Sequence, residues 1–123
     1  MLANAENCSL SFRLRIVGDA MEPQYRDSDT VEFREVGRGE ERLIVGRDYF
    51  VECSDGVGTF RRLKGRSAQA ITLASINSRK HPGQWVIPLE RIVRMAVPVL
   101  VMRAVECGGE VRGRRGRRDG RCG

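Results

Sequence analysis

The chain has few aromatic residues, no long hydrophobic run and no signal-like start. Aromatic residues make up 6% of its 123 residues, so the core must rely on Val, Ile, Leu and Met. The longest apolar run, residues 95–102, contains Pro98 and falls far short of the roughly 20 residues of a membrane helix. Residues 1–6 have neither the basic end nor the apolar stretch of a signal peptide. We therefore predict a cytoplasmic protein without a membrane segment.

Metal-binding spacing is also missing. His81 is the only histidine, and no C-x-x-C pair is formed by the four cysteines, Cys8, Cys53, Cys107 and Cys122. We predict no metal and no cofactor, and expect the cysteines to be reduced thiols. His81 precedes Pro82 and Gly83, which favours an exposed loop position over a role as a catalytic base.

Basic charge is concentrated at the C-terminal end. Residues 107–123 hold six arginines and six glycines, against two acidic residues. A segment this poor in apolar residues is predicted to be a disordered Arg/Gly-rich tail. It is either a tether for nucleic acid or an acidic partner, or a solvated extension without a role. We predict a lead-in at 1–9, one domain at 10–106, and nucleic-acid contact only through the tail.

Alternation of apolar and polar residues predicts an all-β fold. Residues 54–56 (Ser-Asp-Gly) indicate a hairpin turn, and Pro98 indicates an edge strand or a bulge. Short strands at this spacing favour compact curled sheets in a partly closed barrel, with one short helical turn after residue 20. The predicted strands cover residues 10–16, 30–36, 48–53, 57–63, 69–75, 85–87 and 92–105.

Three sequence blocks stand out, at residues 18–23 (GDAMEP), 58–64 (GTFRRLK) and 73–82 (LASINSRKHP). In order and spacing they resemble the nucleophile box, the general-base segment and the leucine-x-serine-x-asparagine-proline loop of one family. That family comprises the self-cleaving LexA, phage-repressor and UmuD proteins, which share a Ser/Lys peptidase domain. The resemblance covers about residues 10–105 and implies the fold of the LexA C-terminal domain.

The resemblance places two replacements at the catalytic positions. The family's attacking serine corresponds to Ala20, and its general-base lysine corresponds to Arg61. A serine hydroxyl needs a base, and a guanidinium is not deprotonated in proteins. Lys64 lies at an odd offset from Arg61, so on a regular strand it points to the other face. We therefore predict a domain without peptidase activity.

Two origins of Ala20 are open. The serine was either lost naturally or removed deliberately from a true Ser/Lys peptidase. Arg61 favours natural loss, because a single engineered change leaves the lysine in place. Self-cleavage is not expected in either case, since residues 1–19 contain no Ala-Gly or Cys-Gly bond of the kind that this family cuts.

The resemblance also implies a binding groove and a dimer seam. A groove without a nucleophile can still bind an extended peptide by strand addition. Arg61 would then contact a carboxylate of Asp19, Glu22 or a partner. The apolar stretch 95–102 predicts a dimer contact, because both of its faces are apolar. The groove residues are Gly18, Asp19, Ala20, Met21, Arg61, Ser75 and Asn77, and the seam residues are Val97, Val99 and Val101.

The predicted function is that of a non-cleaving regulatory and dimerisation domain in transcriptional or SOS-type DNA-damage control. Its predicted partner is a second copy of the chain or a LexA-type repressor. The first alternative is a UmuD-like binding module for a lesion-bypass polymerase. The second is a true Ser/Lys peptidase inactivated by an engineered Ser-to-Ala change.

Overall fold

The computed structural model describes residues 10–37 and 43–103. These residues form seven β-strands and one turn of 3-10 helix at Leu89–Arg91. The strands are β1 Ser11–Arg15, β2 Thr30–Val36, β3 Asp48–Cys53, β4 Gly58–Arg66, β5 Ala70–Ala74, β6 Gln84–Pro88 and β7 Ile92–Met102. The predicted lead-in, the predicted Arg/Gly tail and most of the charged loop after β2 lie outside the described residues.

All seven strands belong to one antiparallel sheet, in the order β1-β2-β7-β3-β4-β5-β6. The all-β prediction is therefore confirmed. The sheet is not closed into a barrel, because its edge strands β1 and β6 do not pair with each other. The partly closed barrel that the strand spacing favoured is thus corrected to an open sheet.

A bulge accommodates the proline in β7, which is an interior strand rather than an edge. Glu32 of β2 lies opposite Leu100, and Phe33 lies opposite Pro98, so Val99 is the extra residue. Proline cannot donate a ladder hydrogen bond, and a bulge is one of the few places where a sheet tolerates it. Of the two predictions for Pro98, the bulge is confirmed and the edge is wrong.

Buried side chains form two clusters, one on each face of the sheet. Adjacent residues of β3, such as Phe50 and Val51, fall in different clusters because side chains alternate along a strand. The first cluster consists of Leu43, Tyr49, Val51, Leu63, Ile71, Leu73, Ile92 and Met95. The second consists of Met21, Tyr25, Val31, Phe33, Phe50, Phe60 and Ala96.

The second cluster holds most of the scarce aromatic rings. Phe33 is fully buried and stacks on Phe12 of β1 at 5.5 Å between ring centroids. It also meets Phe60 edge-on at 5.0 Å. Offset and edge-on ring pairs add to the stabilisation that burial provides. These contacts fasten β1 and β4 to the middle of the sheet.

Strand β1 is less buried than its alternating pattern predicts. Phe12 and Ile16 pack against the second cluster, as expected. Leu10 and Leu14 are exposed instead. The reason is that β1 is an edge strand that pairs only with β2, so little of the sheet covers its ends.

Candidate functional site

The chain leaves β1 through a tight turn that brings residue 20 to the sheet. Gly18 has a φ of 88°, a left-handed conformation that favours glycine. Its N–H donates to Oδ1 of Asp27 at 2.7 Å. The N–H of Ser28 donates to the carbonyl of Ile16 at 2.8 Å. These two hydrogen bonds hold the turn that positions Ala20.

A single hydrogen-bonded turn follows, where the sequence predicted a short helical turn. The N–H of Tyr25 donates to the carbonyl of Met21 at 3.0 Å, which is the spacing of an α-helical bond. Met21 is buried in the second cluster, and the ring of Tyr25 meets Phe60 edge-on at 4.8 Å. The turn is therefore anchored to β4, the strand that carries Arg61.

Ala20 and Arg61 line the same cavity, which measures about 230 Å³. Most of its wall is apolar and comes from the end of β1 and the beginning of β4. Gly58 lets the ring of Phe50 pack directly on the backbone of β4, because a Cβ atom there would lie 2.7 Å from Cζ of Phe50. The lining residues are Leu14, Arg15, Ile16, Val17, Ala20, Met21, Phe33, Phe50, Gly58, Thr59, Phe60 and Arg61.

The cavity wall lacks the parts of a nucleophilic centre. The lining residues of the described chain include no serine, cysteine, lysine, histidine or carboxylate. Thr59 supplies the one side-chain hydroxyl, and no lining side chain can accept its proton. The arrangement therefore suits binding better than covalent catalysis.

Arg61 is half-buried and under-bonded in this wall. Its Nη1 donates to the carbonyl of Phe60 at 2.7 Å, and its guanidinium lies 5.2 Å from the centroid of the Trp85 ring. Its Nε is buried without an acceptor among the described residues. Burial lowers the pKa of Arg61 from its ordinary value. The side chain nevertheless stays a cation, since arginine is not deprotonated in proteins.

Asp19 is bound by the loop after β5 and not by Arg61. Nζ of Lys80 donates to Oδ2 of Asp19 at 2.9 Å, and Nε2 of His81 lies 2.6 Å from Oδ1. The expected contact of Arg61 with Asp19 or Glu22 is therefore wrong, because among the described residues Arg61 forms no ion pair. His81 is partly exposed, as predicted, but its contact with Asp19 was not foreseen.

Asn77 joins the third sequence block to the turn at residue 20. Its side-chain Nδ2 donates to the carbonyl of Asp19 at 3.1 Å, and its backbone N–H donates to the carbonyl of Ala20 at 2.9 Å. The N–H of His81 returns to the carbonyl of Asn77 at 2.9 Å. The loop after β5 thus holds the backbone on both sides of the Asp19–Ala20 bond.

Acid should weaken the Asp19 contacts. The hydrogen bonds from Lys80 and His81 lower the pKa of Asp19 from 3.8 to about 2. A lowered carboxyl pKa contributes stability that is fully present above pH 3.8 and is lost as the pH falls towards 2. We expect Asp19→Asn to lower the free energy of unfolding at pH 6 but to change it little at pH 2.

Urea unfolding of wild type and Asp19→Asn at the two pH values measures this difference. Glu90→Gln, on the exposed 3-10 turn, controls for the loss of a surface carboxylate. A difference between wild type and Asp19→Asn that is as large at pH 2 as at pH 6 would contradict the assignment.

Ser75 and Lys64 lie around a second cavity, of about 340 Å³, and line no part of the first. The hydroxyl of Ser75 is buried without a hydrogen-bond partner among the described residues. Lys64 occupies a bulge of β4, since Leu63 pairs with Leu73 and Gly65 pairs with Thr72. Of the predicted groove residues, the structure therefore brings Ala20, Met21 and Arg61 into one cavity and places Ser75 elsewhere.

The predicted seam residues do not share one face of β7. Val97 packs against the first core cluster and lies opposite Arg34, whereas Val101 lies opposite Val31 of the second cluster. The bulge at Val99 breaks the alternation, so the three valines do not form one stripe. The exposed apolar stretch is Val99, Leu100 and Val101, with 37 to 51% of each residue accessible.

Known proteins add no assignment to this geometry. Comparison with protein-family models, with curated proteins and with solved structures finds no match to this chain. The resemblance to the LexA family therefore rests on the three sequence blocks alone. Within the described ranges, no helix is long and apolar enough to cross a membrane, and no group of His, Cys, Asp and Glu could hold a metal ion.

Proposed function

We propose that this chain is a non-cleaving association domain of the LexA and phage-repressor type, acting in transcriptional or DNA-damage regulation. The observation that carries the proposal is the common cavity of Ala20 and Arg61. The positions that correspond to a nucleophile and its base are 41 residues apart in sequence and line the same cavity. Neither side chain can perform the chemistry that its position implies.

The groove in this proposal binds an extended segment of a partner by strand addition. Residues Gly58 to Arg61 pair with β3 on one side, and β5 pairs with β4 only from Arg62 onwards. Strand β1 pairs only with β2. The cavity therefore lies beside backbone groups of β1 and β4 that have no strand opposite them, and such groups bind an added strand.

Self-association in this proposal uses the exposed stretch Val99 to Val101. Because β7 has neighbours on both sides, a partner must pack against its face and cannot extend the sheet there. Leu100 is the most exposed of the three residues and points to the opposite face from Val101, because it lies opposite Glu32 and Val101 lies opposite Val31. The proposed contact is therefore centred on Leu100. A second copy of the chain or a repressor with the same domain is the proposed partner.

A charge in this stretch should weaken self-association. We expect Leu100→Lys to raise the dimer dissociation constant at least about tenfold, since charged residues are depleted in the cores of interfaces. Lysine is chosen because Glu32 lies opposite Leu100 and would tolerate a cation. Sedimentation velocity over a concentration series measures the constant.

Val86→Lys is the matched control, because Val86 is an exposed valine on the edge strand β6. The proposed self-association through Val99 to Val101 is contradicted if wild type stays monomeric at high concentration. It is also contradicted if Leu100→Lys dimerises as wild type does. The UmuD-like polymerase module and the engineered loss of a true peptidase remain predictions that no feature of the described residues favours.

A further inference from the structure

Arg61 has more hydrogen-bonding capacity than the described protein uses. A guanidinium carries five N–H donors, and here one bond, from Nη1 to the carbonyl of Phe60, is made. Nε is buried and has no acceptor among the described residues, so a ligand from outside does not reach it. The donors left for an added acceptor are the N–H groups of Nη1 and Nη2 that make no bond to the described residues, and satisfying a donor of a charged group is favourable.

The charge around the cavity is positive and uncompensated. The lining holds Arg15 and Arg61 and no acidic residue of the described chain. Asp19, a carboxylate of the turn, is already engaged by Lys80 and His81. The group that complements Arg61 is therefore an anion, and a carboxylate matches the planar fork of a guanidinium.

The position of Arg61 along β4 points to the end of a peptide chain. An added strand can pair with β4 as far as Arg61, but Ala74 of β5 lies opposite Arg62. The hydrogen bond from Asn77 to the carbonyl of Ala20 brings the loop after β5 to the same end of the groove. An extended segment therefore cannot continue in line beyond Arg61.

We propose that the cavity binds the C-terminal carboxylate of an extended peptide whose last residues are apolar, with Arg61 as the contact for the carboxylate. The apolar wall receives the preceding side chains, and the guanidinium of Arg61 lies 5.2 Å from the centroid of the Trp85 ring. This inference rests on the proposed role of the groove in association and specifies what the groove recognises. No covalent step is involved.

The test uses three libraries of N-acetyl hexapeptides with Ala, Val, Leu and Phe at each varied position. The first library ends in a free carboxylate, and the second is identical but ends in an amide. The third ends in an aspartyl amide, so that its carboxylate belongs to a side chain. Retention on the immobilised full chain is quantified by mass spectrometry, and the fluorescence of Trp85, the single tryptophan, reports binding in solution.

We expect the free-acid library to be retained at least about tenfold better than the amide, as for a charge-assisted hydrogen-bond pair. Arg61→Gln should abolish this preference, and Arg61→Lys should reduce it because the fork is lost. Lys64→Gln, on the same strand but outside the cavity, is the matched control and should keep it.

Equal retention of acid and amide, or a preference that Arg61→Gln leaves unchanged, overturns the inference. Stronger retention of the aspartyl amide overturns the assignment to a chain terminus, and so does the absence of retention from all three libraries. If Arg61→Gln fails to fold, the acid-to-amide ratio on wild type and on Arg61→Lys decides instead. Sedimentation tests the proposed self-association separately. A failure of carboxylate binding is therefore distinguishable from a failure of self-association.

Discussion

Phe33→Ala is expected to lower the free energy of unfolding by about 3–5 kcal/mol, as for other buried phenylalanines that are truncated to alanine. Phe33 has no exposed surface and packs against Phe12, Phe50 and Phe60 at ring-centroid distances of 5.0 to 5.6 Å. Its removal leaves a void in the layer that joins β1 to β4. A domain of this size has a total stability of about 5–15 kcal/mol, so the loss is a large share.

The same substitution should affect the groove, because Phe33 lines the cavity that holds Ala20 and Arg61. Urea unfolding followed by circular dichroism measures the free energy of unfolding. Val86→Ala is the control and should change it by no more than about 0.5 kcal/mol, since Val86 is exposed on β6. A loss at Phe33 no larger than that at Val86 would show that this cluster does not hold the sheet together.

Strong alternation made several elements predictable. The bounds predicted for β2 and β3 agree with those observed. β2 alternates buried and less buried residues in its first half, whereas β3 contains a short apolar run, and both strands end at turn-forming residues. Positions 20 and 61 line a common cavity, because the turn that follows β1 and the beginning of β4 meet there.

Other features depend on register and on distant contacts, which periodicity does not encode. The bulge at Val99 turns Val97 and Val101 to opposite faces, which plain alternation along β7 does not show. The contact of Asp19 with His81 joins residues 62 positions apart. The β4 edge that faces β5 is unpaired as far as Arg61, because β5 pairs with β4 only from Arg62 onwards.

The second large effect concerns the two replaced positions. In Ala20→Ser combined with Arg61→Lys, the new lysine lies in a largely apolar wall, where burial lowers an amine pKa towards neutrality. A neutral lysine can accept the proton of the serine hydroxyl, and general-base catalysis contributes about 10²–10⁴-fold. We expect the double variant to react with a serine-directed fluorophosphonate at least about 100-fold faster than Ala20→Ser alone.

Ala20→Ser alone is an informative control, because it retains Lys64 and Arg61. It shows whether Lys64 can act as a base, which its place around the second cavity argues against. Circular dichroism and thermal unfolding of each variant establish that the fold is kept.

The most direct test of the account is therefore covalent labelling of four proteins by the fluorophosphonate, followed by intact mass and peptide mapping. The four are wild type, Ala20→Ser, Arg61→Lys and the double variant. We expect rapid labelling of the double variant at residue 20, and no labelling of wild type or of Arg61→Lys. Labelling of wild type, or a double variant that reacts no faster than Ala20→Ser, would contradict it.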